Sequence, residues 1–348
     1  MTTSRAPFSE ASLRAWLAVA APQVELGASP LRMDRLSGGR SNLTYRVQGC
    51  GAVLVLRHPP TGGVLQSAHD MAREWTFITA MSTTKVPVAG PVARDRADEF
   101  LGVDCYLTEY VAGSVLHTVA QASSLSPEAR RRVGPAMIEV LAELHRLDPD
   151  EIGLSSLRRP GRHLDRQLRR WRRQVAQSSL PDTSRIEAVA ERLQRSRPDN
   201  PDGAVCHGDY RPGNVSVAPS GEVLAVFDWE LATLGDPLTD LGYLLASWPR
   251  PRDPHASIGG GPTLAEGFAE RADLVDLYTR LSGRDLSTLP FYTAFARWRA
   301  ACIGAGVYTR YASGVMGSVD DTERLLRERL VLMDGLLDGA TADLDRLT

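Results

Sequence analysis

Lysine is almost missing from this chain. Lys85 is the only one, and every other strongly basic residue is an arginine. A reaction that calls for a lysine must therefore find another cation here. Cysteine is scarce too. Cys50, Cys105, Cys206 and Cys302 are scattered and form no C-x-x-C pair, which argues for thiols in a reducing cytoplasm rather than a zinc site or disulfides. No apolar run approaches the roughly 20 residues of a membrane span. Residues Met1 to Glu10 lack the apolar core of a signal peptide. The formal net charge is only −2, so no whole-molecule field draws the chain to nucleic acid or membrane. What remains is a chain of 348 residues, 43% hydrophobic and 24% charged, ordinary for one large or two medium globular domains.

Against that background one stretch stands out. His207-Gly208-Asp209-Tyr210-Arg211-Pro212-Gly213-Asn214 reads H-x-D-x-x-x-x-N. Two strand-like runs follow, Asn214 to Val217 and Glu222 to Phe227, around a Pro219-Ser220-Gly221 turn, and the second ends on Asp228. This is the layout of a phosphoryl-transfer loop, with one Asp for a hydroxyl proton and an Asn and a second Asp for a metal ion. The chemistry needs those types. Phosphoryl transfer concentrates negative charge, and Mg²⁺, which neutralises it, prefers oxygen ligands. Asp209 is therefore the candidate catalytic residue, and Asn214 and Asp228 are the candidate metal ligands. A loop Asp and Asn can also simply cap turns; the acid at the end of the hairpin favours the catalytic reading.

These residues, together with Asp228-Trp229-Glu230-Leu231-Ala232-Thr233-Leu234-Gly235-Asp236-Pro237, resemble the aminoglycoside phosphotransferase and choline kinase-like family, small-molecule relatives of protein kinases. Within it the phrase is most similar to the kinase-like domains fused to certain acyl-CoA dehydrogenases. The resemblance runs from about Leu36 to Tyr311. It implies an α+β, two-lobe protein-kinase-like fold, with a small antiparallel β-sheet lobe and a larger, mainly helical lobe. It implies ATP and Mg²⁺ as cofactors and a hydroxyl group on a small molecule as acceptor. The division is expected at residue 111, giving a nucleotide-binding lobe (1–111) and a catalytic and substrate-binding lobe (112–348).

The first half supplies the nucleotide side. A helix is expected over 8–21, with Ser9 as N-cap. Strand, glycine loop and strand follow from Leu36 to Arg57. Ser37, Gly38, Gly39, Ser41 and Asn42 form the candidate phosphate loop, because glycine lets backbone N–H groups approach an anion; the same string is also a common hairpin turn. Arg57 ends the third strand, where the resemblance implies a phosphate-gripping cation. Arg can hold phosphate with two N–H groups, although a surface strand-end Arg is the plainer alternative. In the helix expected over 68–81, the resemblance pairs Glu74 with that cation. Residues 95–99 read as a charged turn and Val103 to Val111 as the last strand. There the resemblance implies that the backbone of Glu109 and Val111 meets adenine.

The second half reads mostly as helix. Ser126-Pro127-Glu128 starts a long one. Arg158 to Arg173 carries eight arginines, with Leu164, Leu168, Trp171 and Val175 on one stripe. Those arginines form either a cationic wall for an anionic acceptor or a solvated face, and the solvated face is the simpler reading. Asp240 is expected to brace the loop through His207 or Arg211, and Asp236 to cap a helix before Pro237. Residues 248–262 read as a loop, 264–281 and 290–311 as helices, and 320–337 as a last helix before a frayed tail. The expected activity is transfer of the ATP γ-phosphate to a hydroxyl, on a hydroxyacyl-CoA or on a hydroxylated natural product or antibiotic. The alternatives are a nucleotide-binding pseudokinase, an aminoglycoside-type enzyme and a metal-dependent hydrolase.

Overall fold

The computed structural model describes residues 8–36, 42–49, 51–59, 70–96, 100–199, 203–314 and 321–347. The chain divides into two compact units, residues 1–113 with 224–230, and 114–223 with 231–348.

The first unit holds helix α1 (Glu10–Ala20) and strands β1 (Arg32–Arg35), β2 (Leu43–Gln48) and β3 (Leu54–His58). Helix α2 (Met71–Met81), β4 (Pro91–Asp95) and β5 (Cys105–Glu109) follow. The five strands form one antiparallel sheet in the order β1-β2-β3-β5-β4. Alternation sets its faces. Tyr45 and Val47, Leu54 and Leu56, and Cys105 and Leu107 are all buried, and they pack with Leu13, Trp16 and Leu17 of α1. Ser9 caps α1 by accepting from the Ser12 N–H, and Asp70 caps α2 by accepting from the Arg73 N–H. Asp95, where the charged turn was expected to begin, ends β4 fully buried and accepts from the Leu101 N–H at 2.6 Å; residues 97–99 lie outside the described residues.

The second unit opens with β6 (Ser114–Val115), α3 (Val119–Ser123) and α4 (Pro127–Leu144), then α5 (His163–Ala176) and α6 (Ser184–Arg195). Strand β7 (Ala204–Cys206) leads into the 207–214 segment, and β8 (Val215–Val217) leaves it. A turn closed by the Ala218 N–H on the Glu222 carbonyl gives β9 (Val223–Val226), which passes into the first unit at Leu224. Strand β10 (Thr233–Gly235), α7 (Leu238–Ala246), α8 (Arg271–Ser282), α9 (Leu289–Ala312) and α10 (Thr322–Asp345) complete the chain. The second unit is mainly helical, and the architecture is mixed α+β.

Its boundaries follow local chemistry. Ser126 caps α4 on the Ala129 N–H at 3.1 Å, with Pro127 in the first turn. On α5, Leu164, Leu168, Trp171 and Val175 are all buried, the outcome of their one-face spacing. All nine residues of α7 are buried, Thr239 and Asp240 among them. Two expected helices differ. Residues 264–270 are not one helix with α8, because Gly267 takes a left-handed φ of 104° between them. The C-terminal helix does not fray after Gly339 but runs to Asp345. Ala340 and Leu344 are buried, and Asp343 accepts from the Arg297 Nε at 3.0 Å. Among the described residues, no helix is long and apolar enough to cross a membrane.

Candidate active site

In the first unit, charge gathers at the end of β3. Arg57 stands opposite Tyr106 in the register, on the face away from α1. Its Nη2 lies 2.5 Å from Asp228 Oδ1 and 3.8 Å from Glu230 Oε2, and its Nε lies 3.3 Å from Glu74 Oε2. Glu74 is fully buried. Burial lifts its carboxyl above the ordinary glutamate value, against the opposing pull of Arg57. For Arg57, burial opposes the charge, but Glu74, Tyr106, Asp228 and Glu230 together hold the guanidinium more firmly charged than usual. Burial, followed by the Glu74 charge, pushes the Tyr106 phenol well up.

Asp228 has a left-handed backbone, with φ 66°. A non-glycine residue there costs about 1–3 kcal/mol, and such strain gathers at sites where the side chain must point one way. The next residue helps to hold it. Trp229 is buried, its ring stacks on Phe77 with centroids 6.4 Å apart, and its Nε1–H donates to the Val226 carbonyl. Glu109 has its N–H engaged with the Gly90 carbonyl, and the Val111 carbonyl accepts from Gly113. Asn42 is 2% exposed, and neither atom of its amide has a hydrogen-bond partner among the described residues. Ser37, Gly38, Gly39 and Ser41 lie outside the described residues.

In the second unit the 207–214 segment is fixed by hydrogen bonds. Strand β7 pairs with β10, Cys206 opposite Thr233, which sets where the loop starts. The fully buried Asp240 of α7 accepts the His207 N–H at 2.6 Å and the Gly208 N–H at 2.8 Å. It also meets His145 Nε2 at 3.3 Å, and His145 Nδ1 lies 2.8 Å from the Tyr278 hydroxyl. Burial alone would raise the Asp240 carboxyl. His145, His207 and the Gly208 N–H outweigh it and hold the pKa below the aspartate norm. The brace runs through His207, as expected, and through Gly208, by way of their backbone amides. Asp236 accepts from the Leu238 N–H at 3.0 Å and from the Tyr292 hydroxyl, so it starts α7 from two residues before the helix.

Asp209 is oriented from several sides. Its N–H donates to His207 Nδ1 at 3.1 Å. Its Oδ2 accepts from Asn214 Nδ2 at 2.6 Å and lies 3.5 Å from Arg211 Nε. Asn214 also donates to the Asp209 carbonyl at 2.9 Å. The amide nitrogen of Asn214 is therefore engaged, and its Oδ1 is the atom left to bind a cation. Gly208 has φ 82°, and a Cβ there would sit 2.5 Å from the Leu231 carbonyl oxygen, so only glycine fits. Tyr243 was not apparent from sequence. Burial, then the charge of the Asp209 carboxylate, pushes its hydroxyl far above the ordinary phenol. Tyr106 and Glu230 were also missed as partners of Arg57. The period-2 register of β3 and β5 was the signal available for Tyr106.

Hard oxygen donors suit Mg²⁺. Asp228 supplies a carboxylate and Asn214 an amide oxygen. Among the described residues, no three His, Cys, Asp or Glu side chains gather to hold a metal alone. Asp228 and Asn214 each supply the type of oxygen donor that suits such an ion.

Comparisons with known proteins show the family. The model of the phosphotransferase enzyme family matches residues 32–294, and the chain belongs to that family. It is 31% identical over 297 residues to acyl-CoA dehydrogenase family member 11 of Pongo abelii, covering 83% of this chain and 38% of that protein. The chain thus spans less than half the length of that curated relative. A solved structure from Ralstonia eutropha, provisionally assigned as an aminoglycoside phosphotransferase, superposes with a TM-score of 0.78 at 29% identity, covering 96% of this chain and 99% of that one. The APH(2'')-IIIa structure, solved with GDP and kanamycin, shares the fold at a TM-score of 0.61 and 16% identity, covering 95% and 98%. The fold is the two-lobe kinase-like α+β class.

Proposed function

We propose that the chain is a small-molecule kinase that transfers the γ-phosphate of ATP to a hydroxyl group. The observation that carries this is the placement of Asp209, oriented by Asn214, Arg211 and the His207 ring in a loop pinned by Asp240. In this reading the acceptor oxygen forms the new P–O bond, the bond to the ADP oxygen breaks, and the hydroxyl proton passes to the Asp209 carboxylate. Bound Mg²⁺, held by Asn214 Oδ1 and Asp228, would neutralise charge on the transferred group. Arg57 and the 37–42 loop would grip the phosphates, and the Glu109 carbonyl with the Val111 N–H would meet the adenine. Glu74 keeps Arg57 oriented. Residues 1–111 then act as the nucleotide-binding lobe and 112–348 as the catalytic and acceptor lobe.

The acceptor follows from charge. Aminoglycosides are polycations and need acidic walls, whereas α5 is rich in arginine. The acyl-CoA dehydrogenase relatives point instead to a hydroxyacyl thioester. Mg-ATP incubated with hydroxyacyl-CoAs, amino sugars and hydroxylated natural products, read by mass spectrometry, tests this. A phosphorylated hydroxyacyl-CoA is the expected product, and phosphorylation of amino sugars alone would overturn the acceptor class. The pseudokinase alternative loses ground because Asp209, Asn214 and Asp228 are all present.

A further inference from the structure

Two arginines of α9 lie two residues apart, both buried, and only one has an anion. Arg297, 9% exposed, donates to Asp343 at 3.0 Å and to the Ala256 carbonyl at 2.5 Å. Arg299, 8% exposed, has no carboxylate within 4 Å and no hydrogen bond among the described residues, and its Nε is buried without a partner. It meets only rings: its guanidinium carbon lies 5.0 Å from the Tyr243 centroid and 5.7 Å from that of Trp171. Stacking uses the face of a guanidinium. The five N–H donors lie in its plane and stay available.

A second cation shares the place. Arg170, on the exposed side of α5, lies 5.1 Å from the same Trp171 ring and forms no ion pair among the described residues. Arg170 and Arg299 both line an open recess, with Gln167, Thr239, Phe295 and Gly208 of the catalytic loop; no acid lines it. Both guanidiniums lie over the Trp171 ring and neither has a carboxylate partner among the described residues, so the two positive charges meet without compensation. Arg299 also leans on Tyr243. Gly208, which lines the recess, directly precedes Asp209 in the chain, so the recess adjoins the residue that would receive the hydroxyl proton.

We propose that this recess is an anion-binding subsite of the acceptor, in which Arg299 and Arg170 hold a carboxylate or phosphate group while the acceptor's hydroxyl faces Asp209. The role in orienting an acceptor rests on the phosphotransfer reading; the binding of the anion does not.

The test titrates the full chain, without nucleotide, with inorganic phosphate and separately with succinate by calorimetry. At least one should bind, and the tighter of the two names the group. Arg299→Met should weaken binding about tenfold, the worth of a buried charge-assisted hydrogen bond, and Arg170→Gln about threefold. Arg185→Gln, which removes a surface arginine paired with Asp334 and Asp338, should leave it unchanged. Arg170 is exposed, so its variant decides if Arg299→Met does not fold. Binding indifferent to both Arg299→Met and Arg170→Gln overturns the subsite. In the activity arm, acceptors are paired as hydroxy acid with methyl ester and phosphorylated diol with free diol. Arg299→Met should raise KM for the charged member alone and leave kcat near wild type; equal use of charged and neutral members overturns the proposal. Anion binding that depends on Arg299 with no transfer to any acceptor would sink the kinase reading and support the subsite.

Discussion

Two carboxylates, one in each unit, are equally buried and behave in opposite ways. Glu74 and Asp240 are both 0% exposed, yet the first is pushed above its ordinary pKa and the second held below it. The difference lies in what meets the oxygens. Neither Glu74 oxygen has a hydrogen bond of good geometry, and its nearest cation is 3.3 Å away, shared with Asp228 and Glu230. Asp240 accepts two backbone N–H groups and faces His145. Burial penalises the charged form of both, and donors aimed at that form decide the sign. The two designs suit different tasks. A carboxylate held by fixed amides makes a rigid pin for a loop, whereas one held by a shared guanidinium leaves that guanidinium free to exchange partners.

Asp240→Asn should have the largest effect. An amide offers oxygen to only one of two backbone donors, so we expect a loss of about 3–5 kcal/mol, as for a broken buried charged network, read as a lower urea midpoint. Glu74→Gln should cost only about 1 kcal/mol. Equal losses would break the comparison. Gly208→Ala tests the pinned loop without touching a charge. The left-handed φ and the Leu231 oxygen should make it about 1–3 kcal/mol less stable, with activity lost alongside.

The pH dependence should run in opposite directions. Asp240, with its depressed pKa, stabilises above the unfolded value of 3.8 and loses that contribution as pH falls through its folded pKa. Glu74, raised, contributes most below 4.5 and loses it as pH rises through its folded pKa. Measured against wild type by denaturant titration, the Asp240→Asn deficit should shrink on acidification and the Glu74→Gln deficit should shrink on raising the pH. Parallel trends would contradict the assigned causes. Ser126→Ala, which removes the α4 cap on the Ala129 N–H, calibrates the set. It should cost about 1 kcal/mol, with no change in turnover measured under the same conditions.

The sequence carried local chemistry well and long-range closure poorly. Ser9, Ser126 and the Leu164-to-Val175 stripe work within one helix, so their outcome was readable from spacing. Asp209 and Asn214 were legible because five residues of loop already bring the two groups together. Tyr243, Arg299 and His145 were not legible. Each reaches its partner across a tertiary contact that no local pattern encodes. The C-terminal helix was cut short for the same reason: nothing near Asp343 in sequence announces Arg297 as its partner. Gly267 gave a local signal that the expected helix over 264–281 overlooked.

The most direct test of the account is turnover of Asp209→Asn against wild type, with Mg-ATP and the acceptor found by mass spectrometry, followed by ³¹P NMR of the phosphate monoester. Loss of a general base predicts a fall in kcat of about 10²–10⁴, with nucleotide affinity and the thermal midpoint retained. Unchanged turnover would contradict the assignment of Asp209 and, with it, the phosphotransfer mechanism built around that residue.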